Sequence, residues 1–236
     1  MAPDLMLVDI FSYSCFNCQR SLQYMSKLER KYQKYGLEFV LVHPPEWDFE
    51  RNYKNIDQAL SKISLPIIID KDKKLIKKYK IDFWPTQLLI SKGKVVYKHI
   101  GEGNYSVLES EIQKKLGVTT KKVFVKEPKY TRYTTIYLGK KKTNIKLILQ
   151  GRWVQKSEYL QHRGKKGSLC IKAKGHAVYA VAEAPEETCV EVEAEGKIRK
   201  IIIHEPRLYL MTSLKRGSVV KITVYSKINI YSFAFE

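Results

Sequence analysis

The chain has 236 residues, enough for one large domain or two modest ones that each bury a core. Its 43 lysines and arginines outnumber its 24 aspartates and glutamates, which gives a formal charge of +19. A positive field of this kind attracts nucleic acid, anionic membranes or acidic partners. However, the sequence has no nucleic-acid recognition motif and no apolar run of about 20 residues. We therefore expect neither nucleic-acid binding nor a transmembrane segment.

The first half of the chain alternates apolar strands with helical stretches. Residues 5–11 predict a strand, and Leu22, Met25, Leu28 and Tyr32 recur at the spacing of a helix face. The later elements are predicted as a strand at 37–42, a helix at about 49–63, a strand at 66–69, a short helix at 73–79, a hairpin of 87–90 with 95–100, and a helix at 107–116. This order predicts an α/β domain with a mixed sheet over residues 1–117.

The pattern changes near residue 118, after which no long helical period remains. Short strands with alternating apolar residues, such as 169–173, 178–182 and 190–194, are separated by turns at Lys174–Gly175 and Glu195–Gly196. They predict an all-β sandwich, jelly-roll-like, over residues 146–236, joined to the first domain by a basic connector at 118–145. Residues after 117 carry +14 (24 basic, 10 acidic), against +5 before (19 basic, 14 acidic). The candidate partners of the sandwich are therefore an acidic protein or a carbohydrate. The wealth of Lys and Glu is also typical of thermophilic proteins.

Cys15-Phe16-Asn17-Cys18 lies where the first strand gives way to the first helix. Two cysteines at this spacing close a small, easily exchanged disulfide, and the first lies at a helix N-terminus that stabilises a thiolate. Half of a zinc site is the alternative for such a pair. Zinc needs further ligands at short spacings, whereas Cys170 and Cys189 lie far along the chain. The pattern therefore favours a redox-active Cys15–Cys18 disulfide, with no cofactor and no metal.

Two more residues accompany the cysteine pair. Asp9 lies in the apolar strand six residues before Cys15, where a buried carboxyl keeps its proton near neutral pH and can exchange it with Cys18. The alternative is an aspartate on an exposed strand edge. Pro85, within Phe83-Trp84-Pro85-Thr86 at the start of a strand, occupies a place where a cis-proline can occur, although trans is the commoner form.

These motifs together resemble the thioredoxin superfamily in its TlpA-like form. Residues 12–20, Val42-His43-x-Pro45-Glu46 with Phe49-Glu50, and residues 101–105 are similar to the soluble C-terminal region of DipZ-type proteins. The resemblance implies a thioredoxin-like domain followed by a β-sandwich that resembles carbohydrate-binding modules. It also implies Cys15 as the attacking thiol, Cys18 as the resolving thiol, Asp9 as the buried acid and Pro85 as the cis-proline. Full-length members carry an upstream membrane-embedded electron-transfer domain, and no such span occurs here.

Four further residues are expected to modulate the site: Trp84, Thr86, His43 and Glu46. The loop after a strand gathers around the site in an open α/β sheet, so His43 and Glu46 could approach Cys15; ordinary loop chemistry is the alternative. Cys170 and Cys189 fall on the polar phase of their strands and are either a structural disulfide or free thiols. Trp153 is expected to pack in the sandwich rather than stack on a sugar.

The sequence therefore predicts a thiol–disulfide oxidoreductase that acts on protein disulfides with an unidentified electron donor. A partner- or carbohydrate-binding adaptor with a secondary redox site, and a thiol peroxidase, are the alternatives. With no signal peptide before the first strand, the chain as written is expected in the cytoplasm, and in a membrane-associated or extracytoplasmic place if it is a trimmed piece.

Overall fold

The computed structural model describes residues 4–123, 135–140 and 147–236. The chain divides into two compact units, Met1–Tyr130 and Thr131–Glu236. The boundaries predicted from the sequence (1–117, 118–145 and 146–236) stay a prediction, and much of the predicted connector lies outside the described residues.

The described part of the first unit, residues 4–123, contains four α-helices and five strands. The strands are β1 Leu5–Ile10, β2 Leu37–His43, β3 Ile67–Ile69, β4 Thr86–Ser91 and β5 Lys94–Ile100; the helices are α1 Phe16–Tyr32, α2 Tyr53–Leu60, α3 Lys74–Lys78 and α4 Tyr105–Leu116. Short 3₁₀ turns cover Gln33–Tyr35 and Asp48–Arg51. The strands form one sheet in the order β3-β2-β1-β4-β5. β1 pairs in parallel with β2 and antiparallel with β4, so the predicted mixed sheet is confirmed.

The centre of this sheet explains the apolar run of β1. A strand with neighbours on both sides and layers on both faces reads as a continuous apolar segment. Five of the six residues of β1 are buried, and the sixth, Met6, is half-buried. Asp9, also buried, stands opposite Gln87 of β4. The sheet therefore brings a carboxyl and an amide face to face in its interior.

Helix α1 carries the cysteine pair at its start. Met25, Leu28 and Tyr32 are buried at the predicted spacing, so the helix packs through that face. The chain leaves the helix through the 3₁₀ turn and Gly36, whose φ of +93° is open to glycine without strain. This turn directs the chain straight into β2.

The helix predicted over 49–63 is interrupted. The structure has a 3₁₀ turn at Asp48–Arg51 and begins α2 at Tyr53. Asn52 lies between them in an extended conformation, and its side chain accepts a hydrogen bond from the Lys54 N–H. Asparagine is a strong N-cap, so it starts a new helix here rather than continuing one.

The second unit is built from two antiparallel sheets. Its strands are β6 Ile136–Tyr137, β7 Ile148–Gln150, β8 Trp153–Gln155, β9 Leu160–His162, β10 Gly167–Lys172, β11 Ala177–Glu183, β12 Thr188–Ala194, β13 Lys197–Ile203, β14 Arg207–Ser213, β15 Val219–Val224 and β16 Ile228–Phe235. One sheet has the order β13-β12-β15-β10-β7 and the other β14-β11-β16-β9-β8, with β6 paired to β16. Apolar side chains from both sheets form one core, for example Val192 and Ile222 of the first with Ala180 and Phe233 of the second. The predicted all-β sandwich is confirmed.

Other predictions for the second unit have clear outcomes. Cys170 and Cys189 are free thiols. They stand on β10 and β12, which are separated by β15, so the two strands are not neighbours and no bridge forms. Trp153 packs against the core, and its Nε1 donates to the Gln150 carbonyl oxygen at 2.9 Å.

The two described ends of the predicted connector are held by different units. Ile136 and Tyr137 pair with Phe233 and Ser232 of β16. The Val123 N–H donates to both carboxyl oxygens of the buried Glu109, at 2.9 Å each. Among the helices that the structure describes, none has the length and apolar character needed to cross a membrane.

Candidate active site

The site begins with a disulfide between Cys15 and Cys18 at the start of α1. Cys15 is the N-cap of the helix, and its Sγ accepts a hydrogen bond from the Cys18 N–H at 3.2 Å. Cys15 is partly exposed, whereas Cys18 is 0% exposed. The outer sulfur is thus open to a partner and lies at the positive end of a helix, where a thiolate is stabilised. The inner sulfur is reachable only through the outer one.

The loop before β4 faces the outer sulfur. The Trp84–Pro85 peptide bond is cis, as the sequence predicted. The carbonyl oxygen of Trp84 lies 3.9 Å from Cys15 Sγ. Thr86 is buried, and its Oγ1 donates to the Phe83 carbonyl oxygen at 2.6 Å, which closes the loop on itself. Phe83 itself is 68% exposed, so this loop presents an aromatic ring to solvent.

Asp9 lies in the interior behind the disulfide. It is 0% exposed, and Gln87 Nε2 donates to its Oδ1 at 2.9 Å, while Oδ2 has no hydrogen-bond partner among the described residues. The same Gln87 nitrogen lies 3.4 Å from the hydroxyl of Ser21, which is one helical turn after Cys18. Burial raises the pKa of Asp9 from 3.8 to about 7, with the Gln87 hydrogen bond opposing the rise. A carboxyl of this pKa can both take up and release a proton near neutral pH.

Glu46 lies in the loop that follows β2, as predicted, whereas His43 is the last residue of β2 itself. His43 is buried: its Nδ1 lies 3.2 Å from the Phe11 carbonyl oxygen, and its ring centroid is 5.3 Å from that of Tyr13. Burial lowers the pKa of His43, so the ring is neutral at neutral pH. The Glu46 carboxylate accepts a hydrogen bond from Trp84 Nε1 at 3.0 Å. The loop after β2 therefore touches the loop that faces Cys15.

The structure adds Glu50, which sequence reasoning did not assign to the site. Its side chain is 0% exposed and accepts three hydrogen bonds, from the hydroxyls of Ser12 and Ser14 at 2.6 Å each and from the Glu46 N–H at 2.5 Å. Burial and the charge of Glu46 raise the pKa of Glu50 to about 7, although the three donors lower it. The signal that could have found it was the Phe49-Glu50 pair among the motifs.

The site thus has two buried carboxyls and one disulfide. The fold brings Cys15, Cys18, Trp84 and Pro85 together, and Glu46 accepts a hydrogen bond from the Trp84 indole. Gln87 Nε2 connects the Asp9 carboxyl with the hydroxyl of Ser21, one helical turn after Cys18. The roles assigned to these residues stay predictions. Among the described residues, no cluster of three or more His, Cys, Asp or Glu side chains is placed to hold a metal ion. Such an arrangement can take up or release two electrons and two protons at a single sulfur pair.

Two family matches cover most of the chain. Residues 3–96 match the family described as "Thioredoxin-like", and residues 114–235, more than half of the chain, match the family described as "Thioredoxin like C-terminal domain".

Two relatives and one solved structure each match about half of the chain. Protein DipZ of Mycobacterium bovis is 32% identical over 130 residues, which is 54% of this chain and 19% of DipZ. Thiol-disulfide oxidoreductase ResA of Bacillus cereus is 36% identical over 101 residues, 42% of this chain and 57% of ResA. The chain therefore spans less than two thirds of either relative. The structure of a thiol:disulfide interchange protein DsbE from Chlorobium tepidum aligns with a TM-score of 0.44 at 22% identity, over 49% of this chain and 82% of that one.

Proposed function

Because this chain belongs to the thioredoxin-like family, we propose that it is a thiol–disulfide oxidoreductase that exchanges protein disulfides through Cys15 and Cys18. One observation carries the proposal: a disulfide whose outer sulfur caps a helix and faces the Trp84–Pro85 loop, while its inner sulfur and the Asp9 carboxyl are both fully buried. A purely structural disulfide needs neither the exposed sulfur nor the buried acid.

In the reducing direction, the first step uses the outer sulfur of the dithiol form. The Cys15 thiolate attacks one sulfur of a substrate disulfide, so that a Cys15–substrate bond forms and the substrate S–S bond breaks. The departing substrate thiolate takes a proton from water. The N–H groups at the start of α1 hold the thiolate before the attack.

The second step uses the inner sulfur and the buried acid. Cys18 gives its proton to the Asp9 carboxylate and attacks Cys15 Sγ, which forms the Cys15–Cys18 bond and releases the second substrate thiolate. Two electrons have passed from the protein dithiol to the substrate disulfide. The proton held by Asp9 leaves with the product or returns to Cys18 when an external dithiol donor reduces the protein again.

The proposal includes neither a cofactor nor a metal, because the sulfur pair itself carries both electrons. It places protein disulfides and a dithiol donor as the partners, and it leaves Trp84, Thr86, His43 and Glu46 as residues that shape the site. The reverse direction, oxidation of protein dithiols, uses the same steps backwards.

Reduction of insulin disulfides by dithiothreitol tests this function. We expect the reduced wild-type chain to accelerate the reaction, and Cys15→Ser to abolish that acceleration. Cys18→Ser keeps the attacking sulfur but cannot resolve the product, so it should accumulate a mixed disulfide seen as a mass shift. A wild-type chain that leaves the uncatalysed rate unchanged would refute the function.

A hollow on the second unit supports a second candidate, a binding module with a secondary redox site. Its volume is about 450 Å³, and charged and polar side chains line it, including Glu191, Glu193, Lys166 and Lys221, with Tyr225 at one side. Mixed carboxylates and ammonium groups around one aromatic ring suit a hydroxyl-rich ligand such as a carbohydrate.

Affinity electrophoresis in gels that contain soluble polysaccharides distinguishes this candidate. We expect retardation of the wild-type chain and its loss in Glu193→Ala/Lys221→Ala, because both side chains line the hollow. Equal mobility of the two proteins in every polysaccharide would remove the candidate, and the redox proposal would stand unaffected.

A further inference from the structure

Glu50 joins the two loops that meet at Cys15. On one side, Oε1 accepts the hydroxyls of Ser12 and Ser14, the two serines of the turn that leads into Cys15. On the other side, Oε2 accepts the Glu46 N–H, and the Glu46 carboxylate holds Trp84 Nε1. Trp84 supplies the carbonyl oxygen that faces Cys15 Sγ. One buried carboxyl is thus at the centre of a chain of hydrogen bonds that begins beside Cys15 and ends at the loop opposite it.

Burying the Glu50 carboxylate lowers the stability of the fold. A carboxylate that is 0% exposed loses its hydration, and a second carboxylate, Glu46, lies nearby. An amide could accept or donate in the same place without a charge. Other buried acids of the first unit have ordinary structural partners: Asp70 accepts the N–H groups of Leu75 and Ile76 at the start of α3.

We propose that Glu50 is a positioning residue of the dithiol: its carboxylate fixes the Ser12–Ser14 turn and the Trp84 loop around Cys15, and its charge sets how readily the Cys15 thiolate forms. The inference rests on the function proposed above. A negative charge beside a developing thiolate opposes it, so an ionised Glu50 moderates the reactivity that the helix N-terminus confers.

Other titratable groups lie near Glu50, and their charges have to be separated from that of Glu50 in the experiment. His43, at the end of β2, and Glu46 face Glu50, while Asp48 and Arg51 of the same turn form an ion pair at 3.7 Å on the surface. Burial lowers the pKa of His43, which favours its neutral form. Asp9 has a pKa of about 7 as well. The measurement is therefore made in chains that carry Asp9→Asn, so that Glu50 is the carboxyl that changes.

The experiment is the pH dependence of Cys15 alkylation by iodoacetamide in the reduced full-length chain. Glu50→Gln in the Asp9→Asn background should raise the rate at pH 7 about threefold to tenfold and move the profile to lower pH, because the opposing charge is gone. Glu109→Gln is the matched control, since Glu109 is equally buried in the same unit but contacts Tyr32, Lys31 and Val123. It should leave the profile in place.

Ser12→Ala/Ser14→Ala gives a second measurement that keeps the carboxyl. Without the two hydroxyls the pKa of Glu50 rises further, so the residue is less ionised at pH 7, and alkylation should accelerate in the same direction but less. A Glu50→Gln profile that superimposes on that of its parent, or an equal shift in Glu109→Gln, would overturn the inference. Because alkylation needs no disulfide substrate, a chain that fails to reduce insulin but shows the shift would refute the proposed function and leave the role of Glu50 intact.

Discussion

The two units place their polar groups in opposite ways. The first unit buries four carboxyls, those of Asp9, Glu50, Asp70 and Glu109, whereas no carboxyl is buried among the described residues of the second unit. The second unit keeps its charges outside, as in Glu191 and Glu193, which alternate with the buried Val190 and Val192. Burying an ionisable group costs stability. Two of these four carboxyls, Asp9 and Glu50, lie at the candidate site, whereas Asp70 and Glu109 have structural partners.

The cysteines repeat this contrast. Cys15 and Cys18 share one helix start with backbone donors and a facing loop, whereas Cys170 and Cys189 are separate thiols on the sandwich. Since the reactivity of a cysteine depends on such surroundings, we expect the two pairs to differ in reactivity.

The largest expected effect tests that contrast directly. Cys15→Ser should lower the rate of disulfide reduction by about a thousandfold or more, since it removes the nucleophile. Cys170→Ser/Cys189→Ser should keep the wild-type rate with a small disulfide. Comparable losses in the two variants would mean that the sandwich cysteines take part in the chemistry.

The next effect separates reactivity from stability at Asp9. Asp9→Asn should slow turnover at pH 7 by about 10-fold to 100-fold, because Cys18 loses its proton acceptor. Insulin reduction measures the rate, with Gln87→Leu as a variant that leaves the carboxyl but removes its hydrogen bond.

The same substitution should stabilise the oxidised chain at high pH. The folded pKa of Asp9, about 7, lies above its value of 3.8 in the unfolded chain, so folding is penalised as pH rises from 4 to 7 and fully penalised above 7. At pH 8 we expect the free energy of unfolding of Asp9→Asn to exceed that of wild type by about 2–4 kcal/mol. Near pH 4 this gain in stability should vanish. Urea unfolding followed by helical circular dichroism measures both. A gain that is equal at the two pH values would show that folding does not raise the pKa of Asp9.

A smaller effect concerns where the first unit ends. In a chain of residues 1–117, the Glu109 carboxylate loses the Val123 N–H and Tyr32 loses its contact with Thr120. The free energy of unfolding of residues 1–130 should therefore be about 1–3 kcal/mol higher than that of residues 1–117. Both should keep dithiol activity on a small disulfide. If Glu109→Gln erases most of the difference between the two lengths, the buried carboxylate is its cause.

Much of the fold was predictable because local patterns and packing agreed. The apolar run of β1, the three-to-four-residue spacing in α1 and the alternation in β10 to β12 each report which face is buried. Asp9 could be singled out because it lies in an apolar strand six residues before Cys15, and Pro85 because it comes directly before the strand that begins at Thr86.

What could not be predicted depends on contacts between distant residues. Glu50 reaches Ser12 and Ser14, 38 and 36 residues away, and Gln87 reaches Asp9 across 78 residues. The two-residue strand β6 exists only because Phe233 and Ser232 pair with it. A pattern within a window of the sequence carries no information about such partners.

The smallest effect tests whether the charge of the second half directs partners to the chemistry of the first. Residues after 117 carry +14, and a field of this strength concentrates acidic molecules near the protein at low ionic strength. With the full chain at low salt, an acidic disulfide peptide should react about threefold to tenfold faster than a neutral peptide of the same length. At about 1 M salt, where the screening length is about 3 Å, the two rates should converge. Residues 1–130 alone should show little preference at either salt concentration, because they lack most of the charge. A preference that survives 1 M salt, or that residues 1–130 retain in full, would place the selectivity in the dithiol site and leave the sandwich without a part in choosing the partner.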